Sequence, residues 1–133
     1  MKKIASTSYK SHYKNFKNQH ENTTIWTSNY FSVWGKNNIV RISNGMPKGI
    51  VACDEIKELY PKWVWVKYHL PWQKFIPLYM EQLSKLDVHK LAQRCKGKIL
   101  CCYERDLMKA HCHRELVKKW FLENGYECKE VEI

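Results

Sequence analysis

Short runs of β-branched, aromatic and apolar residues recur along this chain, and stretches with helical spacing are interleaved with them. A chain written this way folds as an α/β domain, because strands separated by helices are joined by crossovers and pair mostly in parallel. The spacing predicts strands at 23–28, 38–43, 98–102 and 127–133, so a sheet of about four strands in one small Rossmann-like domain. Asn29-Tyr30 turns the chain after the first strand, and Asn44-Gly45 with Pro47 closes the second. Asp54 is placed to cap a short helix ending at Leu59, before Pro61. Residues 62–68 are aromatic-rich and fit either a strand or a helix. Phe75, Ile76, Tyr79, Met80, Leu83 and Leu86 form a helical stripe over 72–86, where Pro77 suits only a first turn. Asp87 caps a further helix over 88–95, and Gly97 stops it. Leu116, Val117, Trp120 and Phe121 mark the buried face of a helix over 112–124, ended by Gly125.

At 133 residues there is room for one core. The domain is predicted over 23–133, with 1–22 as a basic extension. That extension interleaves Lys2, Lys3, Lys10, Lys14 and Lys17 with Tyr9, Tyr13 and Phe16. The aromatic spacing fits a helix docked on the domain, and the mixture also fits stacking on bases between phosphate contacts. The net charge of +10 is uneven: residues 1–53 hold eight Lys and Arg against one acid, Glu21. An anionic small molecule or a nucleic acid is the partner such a balance favours, and the bland alternative is a solvated basic surface. No apolar run approaches the roughly 18 residues of a membrane span. Met1-Lys2-Lys3 is followed by polar residues rather than an apolar signal core. The expectation is therefore a cytoplasmic protein whose six cysteines are reduced, without a Cys-x-x-Cys pair. Exposed aromatics would allow a homodimer.

In open α/β sheets ligands bind beyond the carboxyl ends of the strands. Three predicted strand ends carry polar or reactive residues: Ser28, Asn29 and Tyr30; then Ser43, Asn44 and Gly45; then Cys102, Tyr103 and Glu104. A loop leads on to His111-Cys112-His113-Arg114 at a helix start. Helix-terminal amides there favour a Cys112 thiolate, and with Arg114 would hold a phosphate or carboxylate. In an extended chain Cys102 and Glu104 share a side while Cys101 faces the core. Thiol, carboxylate and histidine together suffice for nucleophilic or acid–base chemistry. Each has a structural alternative: Cys102 as a small core residue, Glu104 and Arg114 as an ion pair, His113 as a cap and His111 as a surface residue. Cys53, Cys95 and Cys128 read as structural, and Trp34 and Trp72 as candidate walls of a cleft. Zinc on Cys102, Cys112 and His113, with His111 or Glu104, is chemically open, but the Cys-x9-Cys-His spacing matches no standard pattern, so no metal or other cofactor is expected.

Leu100-Cys101-Cys102-Tyr103-Glu104 followed by Cys112-His113-Arg114 resembles the signature of the bacterial and phage family called domain of unknown function 488. Thr27-Ser28-Asn29-Tyr30-Phe31 is similar to that family's opening segment. The run from Arg41 to Lys48 resembles its Ser-x-Gly-x-Pro segment, and Leu59-Tyr60-Pro61-Lys62-Trp63 its Leu-x-Pro-x-Trp. The likeness covers 24–133, with a longer loop between Glu104 and Cys112. It implies a Rossmann-like sheet and singles out the paired cysteines with Glu104, His113 and Arg114; it implies no reaction. The leading expectation is a small enzyme for a nucleotide or other phosphorylated substrate. In it Cys102 or Cys112 is the nucleophile, Glu104 or His113 the acid–base group and Arg114 the anion holder, while Ser28, Tyr30, Ser43 and Asn44 orient the substrate. The alternative is a non-enzymatic nucleic-acid-binding or interaction protein, working through its basic N-terminal half with a structural Cys-His-Arg cluster.

Overall fold

The computed structural model describes residues 23–49, 53–104, 107 and 110–132. The extension 1–22, and both expectations attached to it, lie outside the described residues. Five strands form one all-parallel sheet: β1 (Ile25–Asn29), β2 (Ile39–Arg41), β3 (Asp54–Glu55), β4 (Ile99–Cys102) and β5 (Cys128–Glu130). Their order across the sheet is β3-β2-β4-β1-β5. The helices are α1 (Trp63–Lys67), α2 (Trp72–Ser84), α3 (Val88–Cys95) and α4 (Arg114–Glu123). This is a small Rossmann-like α/β fold.

β4 is the last strand but one in sequence, yet it sits centrally between β2 and β1. All four residues of β4 are buried, as its continuous apolar run Ile-Leu-Cys-Cys requires. Its alternate side chains feed two cores. Leu100 joins Ile25, Val40 and Ile42 against Phe75, Tyr79, Leu83, Leu91, Val117 and Phe121 of the helices. Ile99 and Cys101 face the other side, with Tyr30, Val33 and Ile39.

Three local expectations change. The sheet has five strands because Asp54 does not cap a helix. Asp54 and Glu55 extend and pair with Val40 and Arg41, and only Lys57–Leu59 makes a tight helical turn. The extended path gives the edge of β2 its hydrogen bonds and carries Ile56 and Leu59 into full burial, which outweighs the capping preference of an Asp side chain. Pro77 lies inside α2 rather than in its first turn. It leaves the Gln73 carbonyl without a helical donor, a cost offset by burial of Phe75, Tyr79 and Leu83 on the same helix. The last long helix starts at Arg114, with His113 as its N-cap, so Cys112 precedes the helix. Elsewhere the predicted punctuation holds. The Asp87 carboxylate accepts from the Lys90 amide at 3.1 Å, and Gly97 turns the chain at φ +73°. Among the described residues no helix is long and apolar enough to cross a membrane.

Candidate functional site

The carboxyl ends of the neighbouring strands β2 and β4 open on a cavity of about 440 Å³. Ser43, Asn44 and Gly45 line it from β2, and Cys102, Tyr103 and Glu104 from β4. His111, Cys112 and His113 line it from the approach to α4. The facing wall is aromatic and apolar: Trp63, Trp65, Trp72, Phe75, His69 and Leu70. Two other hollows, of about 520 and 720 Å³, lie open on the surface, and among the described residues no cysteine or histidine lines them.

The floor is set by an interlock between β2, β4 and α4. The Ile42 amide donates to the Cys101 carbonyl at 3.2 Å, continuing the ladder past β2. This aims the Ile42 carbonyl at His113, whose Nε2 donates to it at 2.6 Å. The bond assigns the proton to Nε2 and leaves Nδ1 bare, 3.6 Å from Cys112 Sγ. Tyr79 packs edge-on against the same ring, with centroids 5.5 Å apart. Burial pushes the His113 imidazole down to about 4, so it is neutral at pH 7 and a poor proton carrier there. Sulfur from the two sides meets here: Cys102 Sγ and Cys112 Sγ lie 2.12 Å apart, within bonding distance. The sequence predicts free thiols at both positions; among the described cysteines Cys53, Cys95, Cys101 and Cys128 are free.

Arg114 lies behind this floor and is fully buried. Its Nη1 donates to Cys102 Sγ at 3.0 Å and to the Glu104 carbonyl at 2.6 Å. Nε and Nη2 hold the Glu130 carboxylate, at 3.1 and 2.9 Å. The guanidinium therefore serves the protein's own groups and is not presented to a ligand. The structural alternative, an ion pair of Arg114 with Glu104, is not formed; Glu130 of β5 is the carboxylate on Arg114, while the exposed Glu104 side chain lines the cavity. The helix terminus is likewise occupied, since Glu115 accepts from the Cys112 amide at 2.8 Å. An anion held by Arg114 and these amides would have to displace two carboxylates. Among the described residues no lysine or arginine lines the cavity.

Of the four residues expected to orient a substrate, Ser43 and Asn44 line the cavity. Tyr30 and Ser28 are fully buried and do not. The Tyr30 hydroxyl is bonded to Ser43 Oγ at 2.7 Å, so it supports the rim from behind, and burial raises its pKa far above the usual phenol value. Gly45 is a packing glycine: a Cβ there would stand 3.1 Å from the Tyr103 ring. Trp72 is a wall residue, as expected, with its ring parallel to His111 at 4.5 Å. His111 is exposed but is tied into the wall by that stack and by a 3.2 Å pair with Glu115. Trp34 lies elsewhere, stacked on Phe31. Glu130 and Glu115 were not legible as site residues. Their signal is weak, a carboxylate alternating in the last strand and another in the first turn of a helix.

Cys102 Sγ, Cys112 Sγ and a His113 ring nitrogen lie within 4.8 Å of one another, all on buried residues. The donor set suits a soft divalent cation.

No protein-family model, no curated protein and no solved structure matches this chain.

Proposed function

We propose that this protein is an enzyme whose reduced Cys102 is a nucleophile toward a small heteroaromatic substrate, of the nucleobase or nucleotide type, held in the aromatic cavity. The observation that carries the reading is the pair of sulfurs on the floor of that cavity, with a buried guanidinium donating to one of them. A thiolate accepting from a cationic donor is favoured over its thiol. The reading sharpens the resemblance to the domain of unknown function 488 family, which singles out the same residues.

The parallel Trp72 and His111 rings and the Trp63 and Tyr103 side chains suit a flat ring. Phosphates on such a substrate would stay outside the aromatic wall; the Lys62 ammonium, 5.6 Å over the ring of the wall residue Trp65, is a cation within reach of that wall. Arg114 then holds the nucleophile rather than an anion. The step this arrangement supports is addition. The Cys102 sulfur forms a bond to an electrophilic ring carbon, the C=N π bond breaks, and the proton given up by the Cys102 thiol passes to the ring nitrogen by way of the Glu104 carboxylate. Ser43 and Asn44 are at hand for the ring's polar edge.

A thermal-shift panel of nucleobases, nucleosides, nucleotides, short DNA and short RNA on the reduced protein tests this reading. A ligand at a hundredfold excess over its Kd adds about 2.7 kcal/mol of stability. The expected result is a shift with one class of monomeric ring compound, lost in Trp72→Ala. A shift with polynucleotides alone, insensitive to Trp72→Ala, would overturn it in favour of a binding protein.

A further inference from the structure

We propose that Cys102, Cys112 and His113, once the cysteine pair is reduced, form a three-ligand site for one zinc-class divalent cation, its fourth position opening on the cavity. The inference deepens the proposed function: it rests on the reduced pair being the working form and assigns the cation the role of masking Cys102.

Geometry carries the argument. A tetrahedral zinc ion with two sulfurs and one nitrogen keeps its ligand atoms roughly 3.3–3.8 Å apart. The three donors here already lie within 4.8 Å of one another, so they need only separate the sulfurs around an ion. Two of the three ligands, His113 and Cys102, also have the outer partner that such sites use. His113 donates its Nε2 proton to the Ile42 carbonyl at 2.6 Å, which fixes the ring and leaves Nδ1 as a lone-pair donor. Arg114 donates to Cys102 Sγ at 3.0 Å and is itself held by Glu130.

His113 Nδ1 points at the sulfur pair. The residue is 7% exposed, and among the described residues the one hydrogen-bonding neighbour of Nδ1 is Cys112 Sγ at 3.6 Å. With the pair reduced, Nδ1 is aimed at the Cys112 sulfur, and the two can ligate one cation together in place of the thiol proton. Two soft sulfurs and an imidazole select zinc over magnesium or calcium, which take oxygen ligands.

The chemistry balances. A dithiol delivers two electrons and two protons to the bonded pair and closes to a disulfide; a phosphine delivers the two electrons and becomes its oxide, with water supplying that oxygen and the two protons. The cation then replaces the two thiol protons, which pass to solvent, and two thiolates neutralise its charge. Three protein ligands leave one tetrahedral position on the cavity side, for water or a polar edge of the cavity's occupant. A metal-bound Cys102 is no longer a free nucleophile, so occupancy by the cation and thiol reactivity alternate.

The test is zinc titration of the full chain, reduced with a phosphine and stripped of metal, against a chromophoric chelator. The expected result is one zinc per chain. Cys112→Ser and His113→Ala should each weaken binding at least about tenfold, and Cys53→Ser should leave it unchanged. Should His113→Ala fail to fold, cobalt on the parent chain serves instead, because two thiolate ligands give intense charge-transfer absorption that Cys112→Ser reduces. Stoichiometry below roughly 0.2 zinc per folded, reduced chain, or binding unaltered in Cys112→Ser, would overturn the proposal. The two proposals fail separately: a metal-free protein that still shows the ring-compound shift keeps the proposed function and loses the cation site. Zinc bound without any ring-compound shift does the reverse.

Discussion

Cys101 and Cys102 are adjacent on β4 and point to opposite faces of the same sheet, into environments that treat a thiol differently. Cys101 lies among Tyr30, Val33, Ile39 and Ile99, and its Sγ donates to the Ile99 carbonyl at 3.6 Å. Burial pushes that thiol up to about 12. Cys95 and Cys128, in the larger core, are pushed up to about 12 for the same reason. Cys102 instead accepts a hydrogen bond from a buried guanidinium, touches a second sulfur and opens on a cavity. One residue type thus serves as inert filling on one face and as a chemical group on the other. The difference lies in what the neighbouring side chain donates, not in depth, because Cys101 and Cys102 are both buried.

The largest effect is expected from Arg114→Met, which removes the group that distinguishes the two faces. It leaves Glu130 without its partner and Cys102 Sγ and the Glu104 carbonyl without donors. Breaking a buried pair costs about 3–5 kcal/mol, and the half-buried Glu130 places this case near 3 kcal/mol in urea unfolding. A loss below about 1 kcal/mol would show that the guanidinium is not what holds the floor.

A second prediction addresses the inert face. The Cys95 and Cys128 thiols lie near 9 when unperturbed and at about 12 in the fold. For an acid raised on folding, stability is fully present below the unfolded value and lost as pH climbs toward the folded one. Each should therefore cost up to about 2 kcal/mol between about pH 9 and 10.5. Unfolding midpoints at both ends of that range should fall less in Cys95→Ala and in Cys128→Ala than in the parent chain. Equal falls would mean that these thiols are not shielded as the comparison requires.

The smallest effect belongs to the approach to α4. Glu115→Ala removes the acceptor for the Cys112 amide and the partner of His111. Loss of a helix cap costs about 1 kcal/mol. The same variant should loosen Cys112 and speed alkylation of the reduced pair, a change a purely structural cap would not produce.

Much of the fold was legible because its signals are local. The buried run of β4, the Asp87 cap, the Gly97 stop and the apolar face of α4 each sit within a few residues. β3 was not legible: two acidic residues pair with β2 because Ile56 and Leu59 are pulled into the core, which is a long-range effect. For the site, the strand-end argument reached Ser43, Asn44, Cys102, Glu104, Cys112 and His113, all of which line one cavity. It misjudged the surroundings of Arg114, since the carboxylate that claims it lies 16 residues further along the chain. It placed Ser28 and Tyr30 at the rim because position along a strand does not say which face a side chain takes. The aromatic wall over 63–75 was visible as composition, but not as a wall.

Quantitative cysteine mapping tests the central claim most directly. The reduced, metal-free protein is treated with iodoacetamide at pH 7, and modification at each cysteine is followed by mass spectrometry. A thiol near 12 is ionised to only roughly one part in 10⁵ at that pH, so Cys95, Cys101 and Cys128 should stay unmodified while the fold persists. Cys102 should react first, and Arg114→Lys should slow it. Modification of Cys102 no faster than of Cys101, its neighbour on the same strand, would contradict the account.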